Sequence, residues 1–232
     1  MNLSQPDPIP DDPNRLPPAR RRRALRLLAP LDADERASFS AELALRISPS
    51  FDFFLFSVIS AFIMGIGLLL SAPALLVLGA IFAPPMAPVI GASLGTVLGS
   101  FRFFFRSLFG IILASLLVFS VGYGAGRLAL SGPANDFGLA SIYAQLNWTN
   151  FLLLALAAIL TAAGIARSNR GPLLASVGLA YELYLPLVAA GIGFGSGVPH
   201  LWPDGLVVFA VHLAWATLLG AITLGILGFR PL

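Results

Sequence analysis

GAIFAPPMAPVIGASLGTVLG, Gly79–Gly99, carries no charge and places Pro84, Pro85 and Pro88 within five positions of one another. A stretch this long and this apolar matches what a membrane helix needs, about 20 residues at 1.5 Å each. Inside hydrocarbon a helix must satisfy its own backbone, and every proline removes an N–H. Three such losses near the middle of one segment predict a break or a strong kink. Irregular backbone at that depth survives only when it is buried in protein or lines a wet cavity. A half-helix beginning near Pro88 would aim free N–H groups and the positive end of its dipole at the midplane.

The second half of that stretch has an echo. PVIGASLG (Pro88–Gly95) and PLVAAGIG (Pro186–Gly193) lie 98 residues apart and agree at proline, alanine and the final glycine. The remaining positions pair small or apolar residues with their like. Proline-interrupted segments at corresponding places in two halves are the sequence pointer to a transporter-type central site.

The composition sets the class. Of 232 residues, 57% are hydrophobic and 11% charged, against about a quarter charged in a soluble domain, and mean hydropathy is +0.87. An all-α integral membrane protein follows. With no cysteine, neither a disulfide framework nor a thiolate site is available. All 14 basic residues are arginine and eight of them precede residue 47. The polar stretch of roughly fifty residues before the first apolar run argues against a cleaved signal peptide.

Six stretches are long enough to span: Phe53–Leu70, Ala72–Leu98, Phe104–Leu130, Phe151–Ala166, Pro172–Phe194 and Leu206–Phe229. Ser50 reads as the N-cap of the first, and Asp52 suits that helix's positive end. The arginines then alternate. The tail is basic, the turn near Ser71–Pro73 is not, and the next turn has Arg102 and Arg106. The loop Ser131–Asn147 has only Asp136; the fourth turn has Arg167 and Arg170, the fifth Asp204 and His200, and the C-terminus Arg230. Arg127, near the outer end of span three, is the exception. By the positive-inside rule both termini are cytoplasmic, and the expected setting is a multi-pass protein of the bacterial inner membrane. Adding 98 to Phe51 reaches Thr149, where span four begins, and three spans is an odd number. The halves therefore run in opposite directions, a 3+3 inverted-topology repeat with interrupted helices two and five. The expected layout is a tail over 1–48, a first repeat over 49–130, an outer linker over 131–147 and a second repeat over 148–230.

Span five supplies the acid. GLAYELYLPLVAAGIGFGSG from Gly178 holds Glu182 between Tyr181 and Tyr184, four residues before Pro186. A charge at the bilayer centre costs about 2.5 kcal/mol or more, and marks a functional site by default. Counting from Gly171, Glu182 lies roughly 16 Å deep; His212, counted from Asp204, lies roughly 12 Å from the other face. The two thus share a level, where a Glu–His pair could carry a proton or hold a cationic or polar substrate. The bland alternative is a carboxyl bonded to tyrosine or to a freed carbonyl, with His212 bridging helices. Ser93 offers a hydroxyl in span two, although such hydroxyls more often bond backbone. The substrate-binding candidates are therefore Glu182, Pro84, Pro85, Pro88, Tyr181, Tyr184, Pro186, His212 and Ser93. Glycines at four-residue spacing (Gly91, Gly95 and Gly99; Gly122 and Gly126; Gly191 and Gly195) read as close helix packing within one chain or across a dimer.

Residues 1–19 hold six prolines and read as disordered. Arg20, Arg21, Arg22, Arg23 and Arg26 form a basic cluster, and Asp32–Ile47 follows a helical pattern with Phe39, Leu43 and Ile47 on one face. This predicts a short amphipathic helix on the inner membrane surface. The arginines fix topology, or contact anionic lipid at about 1 kcal/mol each. Nucleic acid is excluded as a partner by the lack of interleaved aromatics or of any binding module.

SAFIMGIGLLLSAPALLVLGAIFAPPMAPVIGASLG (Ser60–Gly95) resembles the characteristic segment of the domain of unknown function 389 family of hydrophobic multi-span membrane proteins. That pattern pairs a Ser-Ala…Gly-Leu helix, a Ser-Pro turn and a Gly-Ala…Ala-Pro…Met…Pro run. The likeness extends through Gly178–Gly195 and covers about residues 49–229. Glu182 stands in a segment usually uncharged in the family, and His212 where Asn is more typical. The resemblance implies the fold and assigns no activity.

The leading functional reading is a small inner-membrane transporter or channel with its site at the two interrupted helices, acting on a small molecule or ion. The second is a non-transporting scaffold or lipid-binding module. An intramembrane enzyme is disfavoured: no metal-ligand pair stands at helical spacing, no Gly-x-Ser-x-Gly elbow occurs, and no second buried acid pairs with Glu182. No cofactor is implied, the membrane lipids are expected partners, and a homodimer would suit the glycine stripes.

Overall fold

The computed structural model describes residues 31, 33–46, 50–84, 86–130, 137–167 and 173–229. Among them every regular element is a helix: α1 Ala33–Arg46, α2 Phe51–Leu69, α3 Pro73–Phe82, α4 Ala87–Leu98, α5 Phe101–Ala129, α6 Gly138–Tyr143, α7 Trp148–Arg167, α8 Leu173–Ser196 and α9 Leu201–Ile226. Five of them are long and apolar enough to cross a membrane, and six spans result when α3 and α4 are counted as one bent pair. Large apolar side chains, Phe62, Phe109, Leu116, Leu156 and Ile222 among them, are exposed around the outside. So much exposed apolar surface suits hydrocarbon rather than water. This is a multi-pass membrane protein.

Local chemistry starts and stops these helices. Ser50 caps α2, its Oγ accepting the Phe53 N–H at 3.2 Å, with Asp52 in the first turn; Asp52 therefore serves the helix end. The chain turns at Ser71 (φ 50°), and α3 folds back along α2, where the Ser60 hydroxyl donates to the Gly79 carbonyl at 2.7 Å. α3 ends at Phe82 because Pro84 has no N–H to continue the ladder. α4 starts at Ala87 at 63° to α3. It closes on Gly99, whose φ of 65° an L side chain would resist.

α8 is the axis of the bundle. Of its spanning window 78% is buried, against 28–39% in the other four long spans, and it packs on α2, α3, α5, α6, α7 and α9. Against α5 the backbones nearly touch. A β-carbon on Gly122 would stand 2.5 Å from the Val188 carbonyl oxygen, and one on Gly126 would meet that of Ile192. Gly191 and Gly195 face the Phe119 and Tyr123 carbonyls in the same way. Residue numbers rise together along this seam, so α5 and α8 run parallel. α9 runs against α8: Gly205 lies by Pro186 and Ala190, and His212 by Glu182.

Three features depart from the sequence reading. The interruption expected at Pro186 is absent, since α8 runs unbroken from Leu173 to Ser196 with the proline inside it. The linker over 131–147 carries a helix, α6, with Ala140 and Ala144 buried against the bundle. The amphipathic helix α1 does not offer Phe39 and Leu43 to the membrane surface, because both are buried in the protein. The basic cluster Arg20–Arg23 and Arg26, and the turn arginine Arg170, lie outside the described residues.

Candidate functional site

Glu182 is the tenth of the 24 residues of α8, roughly 14 Å from its first residue at 1.5 Å per residue. It is 5% exposed. Four residues later Pro186 has no N–H, so the Glu182 carbonyl loses the partner that a carbonyl in the interior of a helix normally has. His212 supplies one. Its Nδ1 lies 2.9 Å from that carbonyl oxygen, and a carbonyl only accepts, so Nδ1 carries the hydrogen. This bond removes the reason for α8 to break. Three prolines in five residues outrun any such repair; one does not.

The same ring nitrogen stands 3.8 Å from the Oε2 of Glu182, beyond hydrogen-bond distance. The other nitrogen of His212, Nε2, is buried with no partner among the described residues. The Phe151 ring packs edge-on against the imidazole at 5.4 Å and also meets Trp215. Glu182 and His212 therefore form a pair, with His212 bonded to the backbone of Glu182 in preference to its carboxyl.

Both flanking tyrosines are engaged. Tyr184 shares a hydrogen bond with Ser57 of α2 at 2.9 Å, and Tyr181 shares one with Tyr143 of α6 at 2.5 Å, their rings T-shaped at 5.8 Å. Tyr143, Ser57 and Phe151 were missed by the sequence reading. Leu139 and Tyr143, with Ala140 and Ala144, recur at four-residue spacing inside the linker, and that short pattern was the signal for α6.

The helix break adjoins this group. A cleft of about 20 Å³, on the measure where one water needs about 10–15 Å³, is lined by Phe53, Met86, Pro88, Val89, Ile111, Ala114, Ser115, Leu183, Tyr184 and Phe209. Pro88 and Tyr184 therefore meet across a small, mostly apolar space. Pro84 lies in the non-helical link between α3 and α4, and Pro85 is outside the described residues. The N–H groups that α4 was expected to offer are largely taken. That of Met86 goes to the Ser176 Oγ at 3.1 Å, and those of Val89 and Ile90 return to the Met86 carbonyl. Ser93 stands apart: its hydroxyl bonds the Val89 and Thr217 carbonyls, both at 3.0 Å, where α4 crosses α9 at Gly220. It is a packing contact. Among the described residues no group of three or more His, Cys, Asp or Glu could hold a metal ion.

The family model for a domain of unknown function, DUF389, matches residues 80–224, more than half of the chain. No curated protein and no solved structure matches. The matched stretch takes in the break at Pro84 and Pro88, Tyr143 of the linker helix, Glu182, Pro186 and His212, so of the elements around the buried acid only α2 and most of α3 fall outside it. The chain belongs to the DUF389 family of membrane proteins.

Proposed function

We propose that the protein is a small inner-membrane transporter or channel whose substrate, an ion or small polar molecule, passes Glu182. One observation carries this: the acid of the transmembrane core sits in the most enclosed helix, beside a proline-freed carbonyl and two residues from Tyr184, which shares a cleft with Pro88 at the start of α4. A carboxyl so deep is costly, and nothing in helix packing requires one. The inverted 3+3 repeat belongs to the same reading, supported by the arginine alternation and by the positional match of α2, α3–α4 and α5 with α7, α8 and α9. Cytoplasmic termini, membrane lipids as partners and the absence of enzymatic chemistry complete it. The interruption at the centre is then one-sided: it falls between α3 and α4, while α8 stays whole.

The tight packing of the centre favours a second reading, a non-transporting scaffold. Tyr181 and Tyr184 are already paired, and the cleft by Pro88 holds no more than one water-sized molecule. Transport requires that this packed arrangement be one of two states, with the site closed here. The discriminating measurement uses the full chain in proteoliposomes loaded with a pH-sensitive dye, under an imposed proton gradient and membrane potential. Flux above that of empty vesicles, lost in Glu182→Gln, supports passage at Glu182. Flux equal to that of empty vesicles for protons, potassium and sodium alike favours the scaffold.

A further inference from the structure

The offset of 98 residues between PVIGASLG and PLVAAGIG recurs in the contacts. Gly122 packs on Val188 and Gly191, and Gly220 packs on Ile90 and Ser93; the two glycines differ by that offset, and so do their partners. A β-carbon on Gly95 would stand 2.7 Å from the Phe104 nitrogen, and one on Gly193 would stand 2.8 Å from that of Trp202. The Ser100 N–H donates to the Gly95 carbonyl at 3.0 Å, and the Val198 N–H to the Gly193 carbonyl at 3.2 Å. Gly99 and Gly197 have φ of 65° and 73°. The helices that precede the halves follow suit. Arg36 of α1 donates to the Gly228 carbonyl, and Leu31 ahead of it to that of Leu227; the helix packs on α4 and α7, and α6 packs on α8 and α2. These are the same neighbours with the halves exchanged. Apolar composition alone does not reproduce single bonds and backbone angles at one offset.

A two-fold axis that exchanges residues at this offset would pass midway between the members of every pair. The cleft at Pro88 is lined by both members of two pairs, Met86 with Tyr184 and Ile111 with Phe209. Phe53, Pro88 and Ala114 also line it, and their counterparts are Phe151, Pro186 and His212. In that second half the imidazole fills the seat, with the Phe151 ring edge-on at 5.4 Å. In the first half alanine stands where the histidine would be, and space is left over. None of the lining residues is charged, so an ion entering the cleft would shed its water and meet no counter-charge on the wall.

We infer that the cleft is a binding site on this axis, between the two halves, for one uncharged molecule of about water's size. The interface of inverted repeats near the midplane is where transporters of this kind hold their substrates. Use of the site in transport rests on the transport reading; its accessibility does not. The chain has no cysteine, so Ala114→Cys places a single thiol in the cleft. Val118→Cys, also buried, one turn further along α5 and outside the cleft, is the control. The full chain carrying either is placed in lipid nanodiscs, open to both faces. It is treated with methyl methanethiosulfonate and with the cationic trimethylammonium and anionic sulfonate reagents of the same chemistry. Each rate is divided by that reagent's rate with a free thiol in water. The neutral reagent should modify the thiol at 114 roughly tenfold faster or more than the one at 118, which reacts only through local opening. Equal rates at the two positions overturn the site, and a charged reagent as fast as the neutral one at 114 overturns its class. Should Ala114→Cys not fold, Val89→Cys on the opposite wall gives the same comparison. Fast modification at 114 in a chain that carries no flux upholds the site and counts against the transport reading. Flux lost in Glu182→Gln with equal rates at 114 and 118 does the reverse.

Discussion

Pro186 and His212 are one device. The proline orphans the Glu182 carbonyl and the imidazole, thirty residues on, takes it at 2.9 Å. His212→Ala should therefore lower stability by about 1–3 kcal/mol, the cost of leaving a buried acceptor unpaired, measured by thermal or denaturant unfolding in detergent. Pro186→Ala restores an N–H at position 186, so in that background the cost of His212→Ala should shrink by about 1 kcal/mol. Equal costs in the two backgrounds would mean that His212 is kept for something other than the carbonyl. Reading the chain finds Pro186, Glu182 and His212 one by one and places the last two at one depth. Their bond was not legible, because a local rule for proline does not know what a distant helix will donate.

Among the elements, the glycine seam between α5 and α8 was legible as spacing but not as partnership. A four-residue repeat says that something approaches closely, not whether it comes from the same chain. Gly122 and Gly126 meet Val188, Gly191 and Ile192 of the same chain, so these glycines carry no argument for a dimer. Gly126→Ala or Gly191→Ala should cost about 1–3 kcal/mol by overpacking. Gly124→Ala, on the same helix with nothing within 4 Å of its added carbon, should be neutral or stabilise by about 0.5–1 kcal/mol. Melting temperatures of the three variants decide it, and a uniform response would dissolve the seam. α6 escaped the reading because six residues are too few for periodicity to stand out from a loop. Tyr143→Phe removes its hydroxyl contact with Tyr181 and should cost about 0.5–1.5 kcal/mol, read in the same assay.

At the scale of the molecule, the six apolar stretches anticipated the spanning helices because hydropathy over twenty residues depends on no partner. Their ends shifted where tertiary contacts intervened: α5 begins at Phe101, ahead of the arginines, and α7 at Trp148. Arg127, the exception to the charge alternation, falls in the last turn of α5, where a cation suits the helix's negative end. In the proposed orientation, a thiol introduced at exposed Ser38 should react with an impermeant reagent only from the cytoplasmic side, and one at exposed Asp204 only from the opposite side. Labelling of both from the same side would refute the orientation.

The bonds from Leu31 and Arg36 to Leu227 and Gly228 join residues 192 positions apart in the second case. Synthesis runs from the N-terminal side, so α1 is made well before the carbonyls of Leu227 and Gly228 that Leu31 and Arg36 bond. While the other helices are being inserted α4 and α7 can offer α1 part of its seat, but Phe39 lacks the ring of Phe229 that it packs against edge-on at 5.2 Å. Docking of α1 on this seat therefore waits until the chain has been made through Phe229, and a nascent chain shorter than that leaves α1 without its contacts to Leu227, Gly228 and Phe229.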